Sequence, residues 1–397
     1  MKKATFKKLA ASILAATLML SGCGNSESAS TTSESVPGQT ASDTTTSTDV
    51  IRIGTSFPLS GSVAADGKMI VDSIQLAVDQ VNGAGGIGGR KLELVSEDDE
   101  ADPTTAASVA NKFAEDGSIM AVLTSYNSSC GLAQIPIYKE AGLSAISPVT
   151  TSPDITGMSE YYYRTCNNDG IVGAQCADML KALGCTKIAV LYEIDDYGYG
   201  IYSKYSERAK EIGLEEATVQ TFVYGETKDF STIVTAVKDS GADGIFFAGL
   251  ATEMGLFANQ SATQGITFAD IPCVAADGCN SPSTIEAGGE AVNGLYTLGP
   301  FSLESTDPAV QEFITAYKEK YSAEPSGWGA LGYDAAMTLF EAMKSCDTLD
   351  RASINGALQK ISYEGITGLN EFHDSDVSKT YLTFQIQDGQ IKLTEIK

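Results

Sequence analysis

With a single histidine, His373, and a single tryptophan, Trp328, this chain of 397 residues has little of the usual catalytic equipment. One histidine cannot build a multi-histidine metal site. It lies in Phe372-His373-Asp374-Ser375-Asp376, a polar run that reads as a turn. Neither a G-x-S-x-G elbow nor an H-E-x-x-H motif occurs, so the common hydrolase and metalloprotease readings have no support. Positive charge is also scarce. Lys and Arg number 26 against 51 Asp and Glu, a net charge of −25. Such a surface repels nucleic acid and anionic lipid headgroups. No apolar run approaches the roughly 18 uninterrupted residues of a membrane-crossing helix. Eight cysteines are present, but none forms C-x-x-C and no His/Cys cluster has zinc spacing. Most read as small buried hydrophobes, with a Cys273–Cys279 disulfide as one pairing the sequence allows.

What is present begins with four lysines, Lys2, Lys3, Lys7 and Lys8, and an apolar stretch over 9–20 that ends in Leu20-Ser21-Gly22-Cys23. The stretch is too short to span a bilayer. It looks like a bacterial lipoprotein signal over 1–22, with Cys23 as the lipidated mature N-terminus. Loss of the four lysines and no acid would take the charge to −29. Residues 23–49 are mostly Ser, Thr, Gly, Ala and acids and contain no aromatic. A segment of that composition cannot bury enough apolar surface to offset its ordering entropy, and it reads as a tether. The expected location is extracytoplasmic, anchored to the cell membrane through Cys23.

The remaining body is long enough for two lobes. Strand-like apolar runs (51–57, 91–96, 120–123, 143–147, 187–192, 217–223, 244–248, 271–275) alternate with segments of helical period (68–81, 103–113, 132–140, 199–212, 230–238, 252–263). That alternation predicts an α/β fold of doubly wound parallel sheets with right-handed crossovers. The C-terminal part instead predicts helices near 308–321, 329–344 and 351–360. Strands follow near 372, 381–387 and 390–394, with Asp388-Gly389 as the hairpin turn between the last two.

Two glycine-rich stretches imitate nucleotide loops. Gly83-Ala84-Gly85-Gly86-Ile87-Gly88 fits G-x-G-x-x-G but follows a helix and precedes a strand, the reverse of the dinucleotide context. The Gly61–Lys68 stretch has the wrong glycine spacing for a P-loop, and Met69 stands where a magnesium-binding hydroxyl belongs. The acidic run 97–102 lacks the spacing of a calcium loop and reads as a strand end followed by an N-cap. No cofactor and no metal is expected. Polar residues at the carboxyl ends of parallel strands carry more information, because that edge is where open α/β sheets bind ligands. Three places qualify: the loop 124–129 with Ser128 and Ser129, the loop 148–153 with Thr150 and Thr151, and Asp277 after the strand at 271–275. Hydroxyls and helix-start amides on one side with a carboxylate on the other suit a zwitterion.

At this point the chain resembles the leucine/isoleucine/valine-binding family of extracellular solute-binding proteins of ABC importers. The matching residues run through most of 51–395. They include Pro58-Leu59-Ser60-Gly61, Ala77-Val78-Asp79-Gln80-Val81-Asn82, Asp98-Asp99, Ser147-Pro148, Thr151-Ser152-Pro153-Asp154, Tyr163-Arg164-Thr165, Asp196-Tyr197-Gly198-Tyr199-Gly200 and Tyr333-Asp334-Ala335. The resemblance implies the periplasmic-binding-protein type I fold, two lobes joined by a three-strand hinge. Lobe one would be 51–166 plus 300–365, and lobe two 167–299 plus 366–397. It further implies that Ser128 and Thr151, with Ser129, Thr150 and the backbone near Val149, receive a ligand carboxylate. Tyr197 would approach from lobe two, Asp277 would pair the ammonium, and Trp328 would lie against the ligand side chain. Asp66 and Leu250 stand where aromatic residues are common, and Tyr126 and Asn127 alter the rim. Ala101 and Asn127 replace the two cysteines of a disulfide found in some relatives.

The expected function is capture of an amino acid, branched-chain or another apolar one, between two closing lobes and its delivery to permease subunits with cytoplasmic ATPases. The chain is expected to act as a monomer, without nucleic acid and without catalysis. The same fold binding another solute (an aromatic acid, an amide, a peptide) or serving as a ligand sensor is the alternative.

Overall fold

The computed structural model describes residues 50–396. The signal, Cys23 and the tether expected over 1–49 lie outside the described residues. The chain opens with β1 (Val50–Phe57), α1 (Ala64–Gly83), β2 (Lys91–Asp98), α2 (Pro103–Glu115), β3 (Ile119–Thr124), α3 (Ser128–Ala141), β4 (Ala145–Ser147) and β5 (Tyr162–Arg164). These strands form one parallel sheet in the order β2-β1-β3-β4-β5. Next come α4 (Asp169–Ala182), β6 (Lys187–Glu193), α5 (Asp196–Ile212), β7 (Glu215–Phe222), α6 (Ser231–Ser240), β8 (Gly244–Ala248), α7 (Ala251–Thr263), β9 (Cys273–Ala275), α8 (Pro282–Gly288) and β10 (Tyr296–Gly299). The chain then returns to the first sheet with α9 (Pro308–Tyr321), α10 (Gly327–Lys344), α11 (Arg351–Leu358) and the hairpin β11 (Ser362–Gly365) and β12 (Gly368–Glu371). It ends with β13 (Leu382–Gln387) and β14 (Gln390–Leu393), which extend the second sheet to β14-β13-β10-β9-β8-β6-β7.

Both sheets are covered on both faces, and the pleat decides which residue goes where. In β3, Ala121 and Leu123 enter the core beneath α1, and Val122 enters the one beneath α2 and α3. In β8, Phe246 and Ala248 face one core, Ile245 and Phe247 the other. The α/β reading therefore holds, with one refinement: β13 and β14 add antiparallel strands to the edge of the second sheet. Asp388 and Gly389 turn that hairpin with φ of 52° and 70°, the signature of a type I′ turn.

Local chemistry sets the helix starts. The Asp102 carboxylate accepts from the Thr105 amide at 2.8 Å, with Pro103 in the first turn, so part of the acidic run is indeed an N-cap. Asp307 and Pro308 repeat the device on α9. Sequence periodicity misses α4 because Gly170 and Gly173 interrupt it. The start of α3 comes earlier than expected: Ser128 and Ser129, which read as loop, form its first turn. Phe372 lies outside any strand, just past β12.

The chain passes between the two sheets three times, at 165–168, 300–307 and 372–381; none of the three is a paired strand. Arg164, fully buried, ties the first passage to the third. Its Nε donates to Asp376 Oδ1 at 2.7 Å and its Nη2 to Asp376 Oδ2 at 2.6 Å. Nearby, the Asn167 side chain and the Lys379 backbone exchange two bonds of 2.7 and 2.8 Å. Two expectations need correction. A boundary between 365 and 366 would cut the β11–β12 hairpin, whose turn amides Ile366 and Thr367 both donate to Asp334 of α10 at 2.8 Å. Cys273 and Cys279 are free thiols, as are the other described cysteines. Cys279 Sγ instead donates to the Gly249 carbonyl at 3.3 Å.

Removing Arg164 would leave a largely buried carboxylate without its partner. Arg164→Met is expected to lower stability by about 3–5 kcal/mol, read as a fall in the urea midpoint at unchanged slope.

Candidate functional site

Loops from the carboxyl ends of both sheets meet around one small cavity. The first sheet and its helices contribute Tyr126, Asn127 and Ser128 after β3, Val149 and Thr151 after β4, and Trp328 in the first turn of α10. The second contributes Tyr197 in the first turn of α5, Leu250 before α7, and Asp277 and Gly278 after β9.

Of the residues expected from sequence, Ser128, Val149, Thr151, Tyr197, Asp277 and Trp328 come together here. Ser129 and Thr150 do not line the cavity. The Thr150 hydroxyl turns back to Ser147 Oγ at 2.7 Å, closing the loop on itself. Tyr126, Asn127 and Leu250, noticed only as departures from the family, line the cavity, as does Gly278. The signal that could have found Tyr126 and Asn127 was in hand: they directly precede Ser128 in the same strand-end loop. Asp66 does not line it. Its carboxylate accepts from Ser281 Oγ at 2.6 Å and Ser283 Oγ at 3.1 Å, bridging α1 to the α8 start. Burial raises its pKa, and hydroxyl donors oppose the rise.

On the first-sheet side the site is built from donors. Asn127 occupies the N-cap of α3 without a capping side-chain bond, so first-turn amides keep their donor capacity. Ser128 Oγ accepts from the Thr151 and Ser152 amides at 3.3 and 3.2 Å, which locks the two loops together. Arg164 holds that second loop from behind: its Nη1 donates to the Ser152 carbonyl at 2.7 Å and to the Thr150 carbonyl at 3.3 Å. With those carbonyls drawn away, hydroxyls and amides remain on the cavity side.

On the second-sheet side the central group is Asp277, 1 % exposed. Tyr197 donates its hydroxyl to Oδ1 at 3.2 Å and accepts the Gly278 amide at 3.1 Å. A side chain at Gly278 could not fit, because its Cβ would lie 2.6 Å from that hydroxyl. No cation lines the cavity. Burial, partly offset by the Tyr197 bond, pushes the Asp277 pKa up to about 6. Asp277 Oδ2 and Thr151 Oγ1 are buried without a partner, as are Tyr126 Oη, Asn127 Oδ1 and Trp328 Nε1. Buried polar atoms are normally paired, so these five along one cavity leave hydrogen-bonding capacity there. The ring edges of Tyr126 and Trp328 meet in a T at 6.4 Å and 73°.

Three hydrogen bonds hold the halves together at the rim: Asp66 with Ser281 and with Ser283, and Ser62 Oγ with Tyr224 Oη at 3.0 Å. Among the described residues no group of three or more His, Cys, Asp or Glu could hold a metal ion. Asp98 and Asp99 spend their oxygens on the turn amides of Leu59, Glu100 and Ala101.

Comparison with known proteins fits this geometry. The family model described as periplasmic binding protein matches residues 50–390. The Leu/Ile/Val-binding protein homolog 1 of Brucella abortus (strain 2308) is 31% identical over 316 residues, covering 78% of this chain and 82% of the other. Among solved structures, the branched-chain amino acid transporter substrate-binding protein LivJ from Streptococcus pneumoniae, in complex with isoleucine, superposes with a TM-score of 0.81. It is 30% identical and covers 86% of this chain and 98% of its own. The leucine-binding protein LivK from Thermotoga maritima gives a TM-score of 0.80 at 27% identity, covering 87% and 98%.

The raised pKa of Asp277 has a sign that can be checked. Its folded pKa of about 6 exceeds the unfolded carboxyl value, so ionisation opposes folding of the unliganded protein. The favourable protonated state is fully present below about pH 4 and is lost as pH rises through 6. Asp277→Asn, always neutral, is expected to exceed wild type in stability by about 2–3 kcal/mol at pH 8, with the gap closing at pH 4. Urea unfolding at the two pH values measures it.

Proposed function

The chain belongs to the periplasmic binding protein family, among the branched-chain amino acid substrate-binding proteins of ABC transporters, and we propose that it captures a free amino acid as a zwitterion. Members of this family bind solutes outside the cytoplasm and work with permease components. The observation that carries the reading is the pairing of opposite halves: an unpartnered carboxylate oxygen on Asp277 across one small cavity from the Ser128 and Thr151 hydroxyls and the α3 start. The α-carboxylate would lie with the hydroxyls and amides, the α-ammonium at Asp277 Oδ2.

Closure is what makes the charges count. In an open molecule each half is solvated and its charge-assisted bonds are weak. Between closed halves the same bonds act at low dielectric. The ligand therefore shifts the population toward the closed form, because only that form offers both halves at once. A micromolar site requires about 8 kcal/mol, which a few such bonds plus side-chain burial can supply. The lobes of this motion would be 51–166 with 300–371, and 167–299 with 382–396, the segment 372–381 being one of the passages between them.

The finer placement completes the proposal. Residues 1–22 would be a lipoprotein signal, Cys23 the lipid-bearing residue, and 23–49 a tether that keeps a monomeric binding domain near its permease. A ligand sensor of the same fold would share the site; a requirement for the permease in uptake separates the two.

Calorimetry on the full chain, unfolded and refolded to remove carried-over ligand, against the twenty amino acids tests the reading. Saturable binding of a subset is expected, and Asp277→Ala should abolish it; near-wild-type affinity in that variant would refute the ammonium site. Wild-type affinity should be flat above about pH 7 and fall below pH 6 by up to about tenfold per unit, because a protonated Asp277 must lose its proton to pair an ammonium.

A further inference from the structure

An α-amino acid brings one carboxylate and one ammonium to the cavity. Those two groups account for Thr151 Oγ1 and Asp277 Oδ2 among the five unpartnered polar atoms of the lining. Three atoms are left over: Tyr126 Oη, Asn127 Oδ1 and Trp328 Nε1. Their side chains are 6 %, 8 % and 5 % exposed, so bulk water does not serve them. Two of the three belong to the T-packed aromatic pair, so they cluster on one wall.

The chemistry of the three is mixed. The indole N–H only donates, the amide oxygen only accepts, and the phenol can do either. The Tyr126 hydroxyl also lies near the Asp66 carboxylate, which favours its presenting a lone pair to the cavity. A purely aliphatic side chain would leave at least the indole N–H and the Asn127 amide oxygen without a partner, and an unmet buried polar group is costly. An acidic side chain would share the cavity with Asp277 and find no cation in the lining. A basic one would find Asp66 already bound to two serine hydroxyls behind Tyr126.

We propose that the ligand is an amino acid with a neutral side chain that both donates and accepts a hydrogen bond, a hydroxyl or a carboxamide, and that Trp328 and Asn127 select it. This rests on the zwitterion reading. Leu250 supplies an apolar surface, so the stem of the side chain packs while its polar end is paired.

Isosteric pairs separate the two ideas. Threonine and valine differ by one hydroxyl for methyl, and asparagine and leucine are close in shape. Calorimetry with the refolded full chain is expected to give threonine at least about tenfold tighter than valine, or asparagine tighter than leucine by as much, since sites built to pair a polar group reject its apolar isostere strongly. Trp328→Phe and Asn127→Ala should each shrink that ratio. Valine and leucine binding as tightly as their polar counterparts would overturn this proposal and leave the zwitterion site standing. No binding of any amino acid would overturn both.

Discussion

The two-point ion pair between Arg164 and Asp376 is the contact on which the site depends. One guanidinium, wholly removed from water, satisfies a carboxylate with two donors and two backbone carbonyls with a third. The carboxylate belongs to a passage between the sheets, and the carbonyls belong to the loop that presents Thr151. A lysine could not do this, because the fork geometry is what reaches both at once. Breaking the pair would therefore act twice: it would strand a buried charge, and it would release the loop whose carbonyls must point away from the ligand.

The opposite half of the site follows a different rule. Asp277 has no cation, and its single side-chain donor, Tyr197, is a neutral hydroxyl. The protein thus carries a charge in an unfavourable place until an ammonium arrives. Stability and affinity are set against each other at one residue, which is common where binding needs a pre-formed charge. The rim contacts from Asp66 and Ser62 are neutral or hydroxyl-mediated, so closure without ligand gains little from them.

Much of this could be read from the chain itself. Strands such as 188–192 and 244–248 were legible as continuous apolar runs, which a sheet covered on both faces tolerates. Asp277 was legible because a lone carboxylate directly after a buried strand has no structural task. Other parts were hidden for physical reasons. Two glycines masked the periodicity of α4, and three-residue strands such as β5 leave no pattern. For Asp66, sequence fixes its place on α1 but not the lean of its carboxylate toward Ser281. The hairpin at 362–371 was missed because its anchor, Asp334, lies some thirty residues earlier on another helix. Thr150 shows the limit at finer scale: adjacent hydroxyls look alike in sequence, yet Thr151 lines the cavity and Thr150 turns back to Ser147.

The three passages between the sheets are not equivalent. The first and third are cross-tied at Arg164–Asp376 and at Asn167–Lys379, whereas the hydrogen bonds of the second, around Ser302 and Ser305, stay within its own run and the helix it enters. Two ribbons pinned at two points move as one strip, and a strip bends far more easily about its width than it shears or twists. The kinematics are those of a door hung on one edge, with the free passage as a slack stay. Solutes of different bulk would then be accommodated by the angle at which the door comes to rest, with the alignment of its two faces preserved.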